Sequence, residues 1–212
     1  WFAGGVATVL MSSYESYLLA GVACPFVCFV ILMLFGHRLG KPLAGWLAVA
    51  GMATSCLLAT ITLVGWLGEV DSGAAAELTR TAQFNQFHWA DIGSVAIHVG
   101  VKLDSLTVIM FFMVTFISSW IFVFSVGYMA GHSDEVDGVS KYHRFFCYLS
   151  LFGFSMLGLV VSSNLLFLFI FWELVGLCSY LLIGFYFDKK FATDAAMKAF
   201  ITNRVGDFGF IF

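Results

Sequence analysis

The sequence predicts an all-α, polytopic transmembrane helix bundle of about six spans, and two observations lead to this fold class. First, 61% of the 212 residues are hydrophobic and 11% are charged, whereas a soluble domain carries roughly 25% charged residues. Second, the mean hydropathy is +0.96, and the apolar residues form continuous runs near the roughly 20 residues that cross a bilayer as a helix. We therefore predict a single membrane domain over residues 1–212.

The predicted spans are apolar runs separated by more polar connections. Five runs are complete, and the sixth is still helical in pattern at the last residue. A helix that ends inside the bilayer would leave its last carbonyls without hydrogen bonds, so we expect this chain to be the leading part of a longer protein. The spans are predicted at 17–35, 43–67, 106–128, 145–161, 165–187 and 195–212.

Lysine and arginine residues in the connections predict which way the chain crosses the membrane. Cytoplasmic loops of membrane proteins carry an excess of these two residues. Here they are concentrated in every second connection, which predicts that these connections are cytoplasmic and that the N-terminus lies on the outer side. The basic residues that carry this prediction are Arg38, Lys41, Lys141, Arg144, Lys189 and Lys190.

The long connection 68–103 is expected to hold a short β-hairpin on the outer side, between the second and third spans. Residues 95–103 alternate between larger apolar side chains and smaller or polar ones, a period of two that is typical of a strand. Gly73 and the polar stretch 79–86 are typical of a loop. The strand is therefore expected to pair in a hairpin that lies over the helix ends.

Composition and motifs exclude several other classes of protein. The formal net charge is −3 without any basic run, so nucleic acid is not an expected partner. The five cysteines lie inside apolar runs and form no C-x-x-C pair, so neither a disulfide nor a metal site is expected. The five histidines lie in connections or at span edges, where they cannot act as mid-membrane haem ligands. Segment 36–41 is expected to be a tight turn rather than a phosphate-binding loop, because Pro42 follows Lys41.

Glu173 is the most informative residue for function. It lies close to the middle of the fifth span, with apolar residues for many positions on both sides. A carboxylate at that depth costs several kcal/mol unless it is protonated, paired or hydrated. Burial favours its neutral form and a nearby cation favours its charged form, and a reversible proton site uses that competition. We interpret Glu173 as a proton-translocating residue; the alternative is a structural carboxylate hydrogen-bonded between helices.

The sixth span carries three further charged residues, Lys198, Arg204 and Asp207. Arg204 and Asp207 are three residues apart and share a helix face, so they can neutralise each other; a structural and a functional role are both open for this pair. Lys198 could extend its four-carbon stem toward the cytoplasmic interface. We expect it instead to face the interior of the bundle, because small residues on the same face allow close helix packing.

Several motifs in the second half of the chain are long enough to identify a family. The longest are Phe171-Trp-Glu-Leu-Val-Gly-Leu-Cys-Ser-Tyr-Leu-Leu-Ile-Gly-Phe-Tyr186 and Ala195-Ala-Met-Lys-Ala-Phe-Ile-Thr-Asn-Arg-Val-Gly-Asp-Phe-Gly209, with Leu103-Asp-Ser-Leu-Thr107 and Tyr142-His-Arg-Phe-Phe-Cys-Tyr148 before them. They resemble the antiporter-like subunit L family of bacterial NADH:quinone oxidoreductase (respiratory complex I), whose mitochondrial counterpart is NADH dehydrogenase subunit 5. The resemblance covers residues 97–212, and the first two spans match in character alone.

The resemblance implies a larger bundle with two inverted helix repeats in a bacterial inner membrane, with the N-terminus on the periplasmic side. It implies proton translocation that involves Glu173, Lys198, Arg204 and Asp207. Glu173 would pair with a lysine on a later, broken helix beyond Phe212, and Asp207 would lie toward a neighbouring antiporter-like subunit. NADH, FMN, Fe–S clusters and quinone would belong to other subunits, so this chain would hold no redox centre and no cofactor.

Two other functions stay open. An Mrp-type cation/proton antiporter large subunit shares the fold and the glutamate, although its sequence after Trp-Glu differs from Gly176-Leu-Cys-Ser-Tyr180. A structural membrane anchor would use the same buried charges to fix helix register alone. Sodium-dependent transport without a quinone reductase would identify the antiporter. Impaired assembly with normal transport per assembled complex would identify the anchor.

Overall fold

A computed structural model of the chain describes residues 2–71, 87–92, 95–132, 135–136, 139–140 and 142–211. Most of these residues are helical, as the composition predicts. The helices are α1 (Phe2–Asp71), α2 (Ser105–His132), α3 (Tyr142–Val161), α4 (Leu165–Ile183) and α5 (Lys190–Ile211), with a 3-10 turn at Gly184–Tyr186 after α4. The strands are β1 (Phe87–Ile92), β2 (Val95–Val99), β3 (Glu135–Val136) and β4 (Val139–Ser140).

The long helix α1 is interrupted at Gly40. This residue has φ 74° and ψ 173°, a conformation that glycine adopts readily because it has no Cβ. The two arms of α1 on either side, 2–39 and 41–71, keep helical geometry. The turn predicted at 36–41 is therefore shorter than expected, and a single residue provides the break.

The two arms of α1 pack against each other in antiparallel fashion. The Ser55 hydroxyl in the second arm donates to the Gly21 carbonyl in the first at 2.6 Å. Further from the break, the rings of Tyr14 and Trp66 meet edge to face, with 6.1 Å between their centroids. The indole N–H of Trp66 also donates to the Ser105 hydroxyl at 3.0 Å, which ties the end of α1 to the start of α2.

Helix α3 is central to the bundle, because it packs against α1, α2 and α4. Two clusters of buried side chains hold these helices together. The cluster at the end remote from Gly40 comprises Tyr14, Leu18, Ala59, Trp66, Leu103, Val108, Phe111, Leu157 and Val161. The cluster at the Gly40 end comprises Leu32, Ala44, Ala48, Val49, Met52, Phe122, Met129, Tyr142, Phe146, Cys147, Leu149 and Phe185.

Strands β1 and β2 pair antiparallel, with Ile92 opposite Val95. They lie within the connection 68–103, and β2 begins where the alternating pattern begins but ends at Val99. Beyond β2, the backbone N–H of Lys102 donates to the carbonyl of Val161 at 2.9 Å, so this connection is fixed to the end of α3. The predicted loop residues Gly73 and 79–86, and the basic residue Lys141, lie outside the described residues.

Side chains at two helix starts explain where α2 and α4 begin. Asp104 Oδ1 accepts the Thr107 N–H at 2.6 Å, and its Oδ2 lies 3.1 Å from Lys102 Nζ. Asn164 Oδ1 likewise accepts the Leu166 N–H at 2.6 Å. Both caps satisfy N–H groups that a helix start leaves without partners. Burial alone would raise the pKa of Asp104, but the hydrogen bonds from Thr107 and Lys102 and the lysine charge outweigh burial and hold that pKa below its ordinary value.

Four helical segments of the described chain are long and apolar enough to cross a membrane, namely Ser13–Val70, Ser105–Gly131, Tyr142–Val161 and Leu165–Tyr186. The first has 58 residues, about 87 Å at 1.5 Å per residue. Because this segment folds back at Gly40, its length suffices for two crossings of about 30 Å. Helix α5 is not among the four; it carries Lys190, Asp194, Lys198, Arg204 and Asp207.

The outer faces of the helices are apolar. Phe124 in α2 and Phe191 in α5 are 72% and 73% exposed, and many other large apolar side chains share this outward position. Continuous apolar surface of this extent is unfavourable in water and favourable against lipid tails. The structure is thus a mostly helical membrane bundle, and the total of six spans stays a prediction.

Candidate functional site

The candidate site lies between α4 and α5, which run antiparallel. A Cβ on Gly184 would lie 3.2 Å from the Cβ of Ala196, and four residues earlier on α4 the ring of Tyr180 lies 5.4 Å from that of Phe200. Steps of about four residues keep the same face of each helix in contact. This register places the middle of α4 beside the C-terminal half of α5.

Arg204 in α5 bridges two carboxylates. Its Nη1 forms an ion pair with Oε2 of Glu173 in α4 and lies 3.4 Å from Oδ2 of Asp207 on α5. The second contact is the one that the three-residue spacing predicts. The side chains of Glu173 and Asp207 are 21% and 10% exposed, and that of Arg204 is 41% exposed. One guanidinium therefore serves two largely buried carboxylates, and we call these three residues the ion trio.

Asp207 has a second donor, which comes from α4. The indole Nε1–H of Trp172 donates to Asp207 Oδ1 at 3.0 Å, so each oxygen of this carboxylate has its own partner. The Trp172 ring is nearly parallel to that of Phe210, with 6.1 Å between centroids and 14° between planes. Asp207 is 7% exposed as a whole residue, and a carboxylate buried to this extent requires such donors.

The guanidinium of Arg204 also contacts an aromatic ring. Its Cζ lies 4.8 Å from the centroid of Phe200, one turn earlier in α5. A planar guanidinium can lie over a ring while its edge donates to carboxylates. This contact leaves the hydrogen-bonding edge of Arg204 available to Glu173 and Asp207.

A cleft of 360 Å³ adjoins the ion trio. Ser179, Thr202 and Asn203 contribute hydroxyl and amide groups to its wall. The cleft is open beside Gly176, because a Cβ added there would lie 3.7 Å from the Asn203 amide nitrogen, an ordinary van der Waals contact. A cleft of this size has room for water, to which these hydroxyl and amide groups offer hydrogen-bond partners.

The opposite side of α4 contacts α3 through uncharged residues. The rings of Phe154 and Phe171 meet edge to face with 5.6 Å between centroids, and Ser155 Oγ lies 4.0 Å from Cys178 Sγ. A Cβ on Gly158 would come within 2.3 Å of the Phe171 ring. Within the described part of the chain, the charges that face Glu173 therefore come from α5, while α3 holds α4 by close packing.

Lys198 does not join the trio. It is exposed, because the face of α5 that contacts α4 passes through Ala196 and Phe200. A position two residues from either of them is rotated by about 200° on an α-helix. The inward orientation expected from its small neighbours is therefore not found with respect to the described helices. A role for Lys198 in proton movement stays a prediction.

The ion trio has the chemistry of a switchable charge pair. Arginine keeps its charge at every accessible pH, so a movement of Arg204 toward one carboxylate leaves the other without its cation. At about 4 Å and an effective dielectric constant of about 20, such a pair interacts by about 4 kcal/mol. Repartitioning Arg204 between Glu173 and Asp207 therefore changes which of the two carboxylates has a cation beside it.

Sequence reasoning identifies the residues of the trio and misses two of their contacts. It gives Glu173 a partner beyond the chain, whereas Arg204 pairs with it here. It also misses the bond from Trp172 to Asp207. Both contacts join two spans whose relative rotation the sequence does not specify. The one available signal is Trp172 itself, since an indole N–H inside an apolar span needs an acceptor.

Two family models match the chain and define its class. Residues 89–146 match the N-terminal model of NADH-ubiquinone oxidoreductase (complex I) chain 5. Residues 162–212, which include the whole ion trio, match the transmembrane model shared by NADH:quinone oxidoreductase and Mrp antiporters. Both models describe antiporter-like membrane subunits, and they define the class of protein to which the chain is similar.

Individual relatives narrow the family. The chain is 40% identical over 201 residues to NADH-quinone oxidoreductase subunit L of Neisseria meningitidis serogroup A, covering 95% of this chain and 28% of that relative. It is 50% identical over 123 residues to NAD(P)H-quinone oxidoreductase chain 5 of Synechocystis, covering 58% of this chain and 17% of that protein. The chain belongs to the subunit L (chain 5) family of NADH:quinone oxidoreductase, and the resemblance read from its motifs is confirmed.

A solved structure supports the fold independently. The chain aligns with a chain of the membrane-bound sulfane sulfur reductase, an archaeal respiratory membrane complex, with a TM-score of 0.60 and 14% sequence identity. The alignment covers 89% of this chain and 34% of that one. At this identity the likeness concerns the fold alone. The chain spans about a third or less of the length of the subunit L relative and of the aligned archaeal chain.

Proposed function

We propose that this chain is part of a proton-translocating membrane subunit of NADH:quinone oxidoreductase, and that the ion trio lies on its proton route. The observation that carries the proposal is the position of Arg204 between two largely buried carboxylates, in a chain of the subunit L family. Ionisable groups at this depth in a membrane helix are retained for function in most membrane proteins.

The proposed mechanism couples charge and proton movement. Redox energy released elsewhere in the complex reaches the trio electrostatically and moves Arg204 toward one of its two carboxylates. The carboxylate that loses the cation takes a proton from water in the adjoining cleft and releases it when Arg204 returns. NADH, FMN, Fe–S clusters and quinone act in other subunits, so the chain serves an enzyme without a redox centre of its own.

The proposed topology has six spans, with the N-terminus on the periplasmic side of a bacterial inner membrane. Its support is that basic residues gather at the Gly40 end of the bundle: Arg38 and Lys41 flank the break, and Arg144 follows Tyr142 of the cluster at that end. At the opposite end, Trp89 of β1 contacts Phe167 near the start of α4, with 5.7 Å between ring centroids. The paired strands then lie on the outer side.

The proposed partners follow from the faces that the described helices leave open. Lys198 and the neighbouring exposed residues of α5 would face later helices of the full-length subunit, and Glu173 would alternate between Arg204 and a lysine there. Asp207 would transmit the charge state toward a neighbouring antiporter-like subunit. The remaining apolar surface would contact membrane lipid and other membrane subunits of the complex.

The test is Glu173→Gln in the full-length subunit, with NADH-driven proton uptake measured in proteoliposomes at matched assembly. The matched control is Asp188→Asn, which neutralises an exposed carboxylate in the turn before α5, outside the trio. We expect Glu173→Gln to lose most proton uptake, because the amide cannot hold a charge, and we expect Asp188→Asn to keep it. Unchanged uptake per electron in Glu173→Gln would refute the proposal, and an assembly defect with normal uptake per complex would support a structural anchor.

A second candidate is a cation/proton antiporter of the Mrp type, because the family model that matches residues 162–212 includes these proteins. The trio could exchange a proton for Na⁺ in the adjoining cleft. Transport that depends on Na⁺ and proceeds without NADH and quinone would favour this candidate. Proton uptake that requires NADH oxidation and is indifferent to Na⁺ would exclude it.

A further inference from the structure

We propose that Trp172 is a positioning residue of the proton route: its indole N–H fixes Asp207 so that Arg204 remains shared between Asp207 and Glu173. This inference rests on the proposed function of the ion trio. It assigns a role to a residue that carries no charge and takes no proton, and whose effect passes entirely through Asp207.

The geometry divides the two oxygens of Asp207 between two donors. Trp172 Nε1 lies 3.0 Å from Oδ1, and Arg204 Nη1 lies 3.4 Å from Oδ2. The contact of Arg204 with Asp207 is thus the longer of the two, while the same Nη1 is in close contact with Glu173. The indole bond satisfies Asp207 in part, so Asp207 does not require the full hydrogen-bonding capacity of Arg204.

Removing the indole N–H should redistribute Arg204. Asp207 is 7% exposed, and a buried carboxylate that loses a donor must find another or become protonated. The nearest cation is Arg204, which would then move toward Asp207 and leave Glu173. A hydrogen bond to a charged group shifts the equilibrium between two arrangements by about ten- to a hundredfold. Such a shift is enough to change Arg204 from a guanidinium shared by two carboxylates into one held by Asp207.

The position of Trp172 also couples the two helices. Trp172 and Glu173 are adjacent in α4, and they contact Asp207 and Arg204 in α5. Trp172 is 47% exposed, and the near-parallel contact of its ring with Phe210 together with the hydrogen bond to Asp207 orients its N–H toward α5. A shift of α4 along α5 therefore changes both contacts together, and the carboxylate that gains Arg204 is determined by the same movement.

The experiment compares Trp172→Phe with Trp120→Phe in the assembled complex. Trp172→Phe keeps a ring that can contact Phe210 and removes the N–H together with part of the indole ring, and Trp120→Phe removes the same atoms. Trp120 is the matched control, because it is 65% exposed in α2 and, within the described residues, contacts the Phe116 ring rather than any member of the trio. Protons taken up per NADH oxidised are measured at matched assembly. Both substitutions are repeated in an Asp207→Ala background.

We expect Trp172→Phe to lower the protons taken up per NADH by roughly twofold or more, because a shift of about tenfold in the sharing of Arg204 would leave it on Asp207 in most complexes. We expect Trp120→Phe to leave this ratio unchanged. In the Asp207→Ala background, Trp172→Phe should have no further effect, since its target is gone. An equal decrease in both backgrounds would mean that Trp172 acts through packing and would overturn the inference. The inference would also be overturned if Trp172→Phe and Trp120→Phe took up the same number of protons per NADH.

The result separates this inference from the proposed function. If Glu173→Gln loses proton uptake and Trp172→Phe keeps it, the trio is on the route and Trp172 has no positioning role. If Glu173→Gln keeps proton uptake, the proposed function fails whatever the behaviour of Trp172→Phe.

Discussion

Replacing Gly158 by alanine applies pressure to the segment of α4 that carries Glu173. A Cβ at this position would lie 2.3, 2.5 and 2.6 Å from three carbons of the Phe171 ring, far inside van der Waals contact. The ring cannot move freely away, because Phe154 on the same helix as Gly158 also contacts it. We therefore expect α4 to shift away from α3 near Phe171, which is two residues from Glu173.

The magnitude follows from two terms. Overpacking a well-filled helix interface costs about 1–3 kcal/mol, which should lower the stability of the assembled subunit by that amount. Because α3 and α5 lie on opposite sides of α4, this shift presses α4 toward α5 and distorts the ion pair of Glu173. A change of about 1 Å in a charge separation of about 4 Å, at an effective dielectric constant of about 20, alters such a pair by about 1 kcal/mol. Gly158→Ala should thus reduce both the thermal stability of the complex and the proton uptake per electron.

The assay has a control and a rescue within the same helix pair. Gly153→Ala also adds a methyl group to α3, but that Cβ would meet the terminal Cε of Met52, which can move aside because methionine is flexible. Phe171→Leu in the Gly158→Ala background should recover part of the lost stability by removing ring atoms. Equal stability and proton uptake in Gly158→Ala and Gly153→Ala would refute the reasoning.

Two further predictions concern stability. Asp104→Ala removes the cap of α2 and should lower the free energy of unfolding by about 1 kcal/mol, seen as a lower melting temperature of the complex. Burial raises the pKa of Asp104, but its hydrogen bonds outweigh burial and hold that pKa below its ordinary value. The stability that Asp104 contributes is therefore full above the ordinary carboxyl pKa and is lost as the pH falls through the lowered pKa. The difference in melting temperature between wild type and variant should shrink in acid, and a constant difference would contradict this. Gly40→Ala places a Cβ at φ 74° and ψ 173°, a region essentially confined to glycine, and should cost about 1–3 kcal/mol. Gly68→Ala, helical and with open space around it, should be neutral or stabilising. Similar melting temperatures for the two variants would contradict the role of Gly40.

The helices could be predicted from the sequence because their signal is local. Bilayer thickness fixes the length of each apolar run, and α2, α3 and α4 begin within a few residues of the predicted spans. The pairing of Arg204 with Asp207 is equally local, since residues three apart on a helix are neighbours. The motif around Glu173 identifies the family for a different reason. It contains charged and polar residues that are not required for a helix to cross the bilayer, so their combination is specific to the family.

Contacts between helices could not be predicted in the same way. The rotation of α4 against α5 determines that Arg204 reaches Glu173 and that Trp172 reaches Asp207, and apolar residues on every face of α4 conceal which face is in contact. The orientation of Lys198 away from α4, among the described helices, has the same origin. Its small neighbours permit close packing, but they do not specify on which side a partner lies.

The break at Gly40 has a consequence for how the chain enters the membrane. A one-residue link between two helical arms leaves no slack, so neither arm can cross the bilayer and wait for the other. The apolar stretch of 58 residues would enter as a preformed helical hairpin, with Arg38 and Lys41 held back at its tip by the cost of burying charge. One glycine thereby couples the insertion of the two arms.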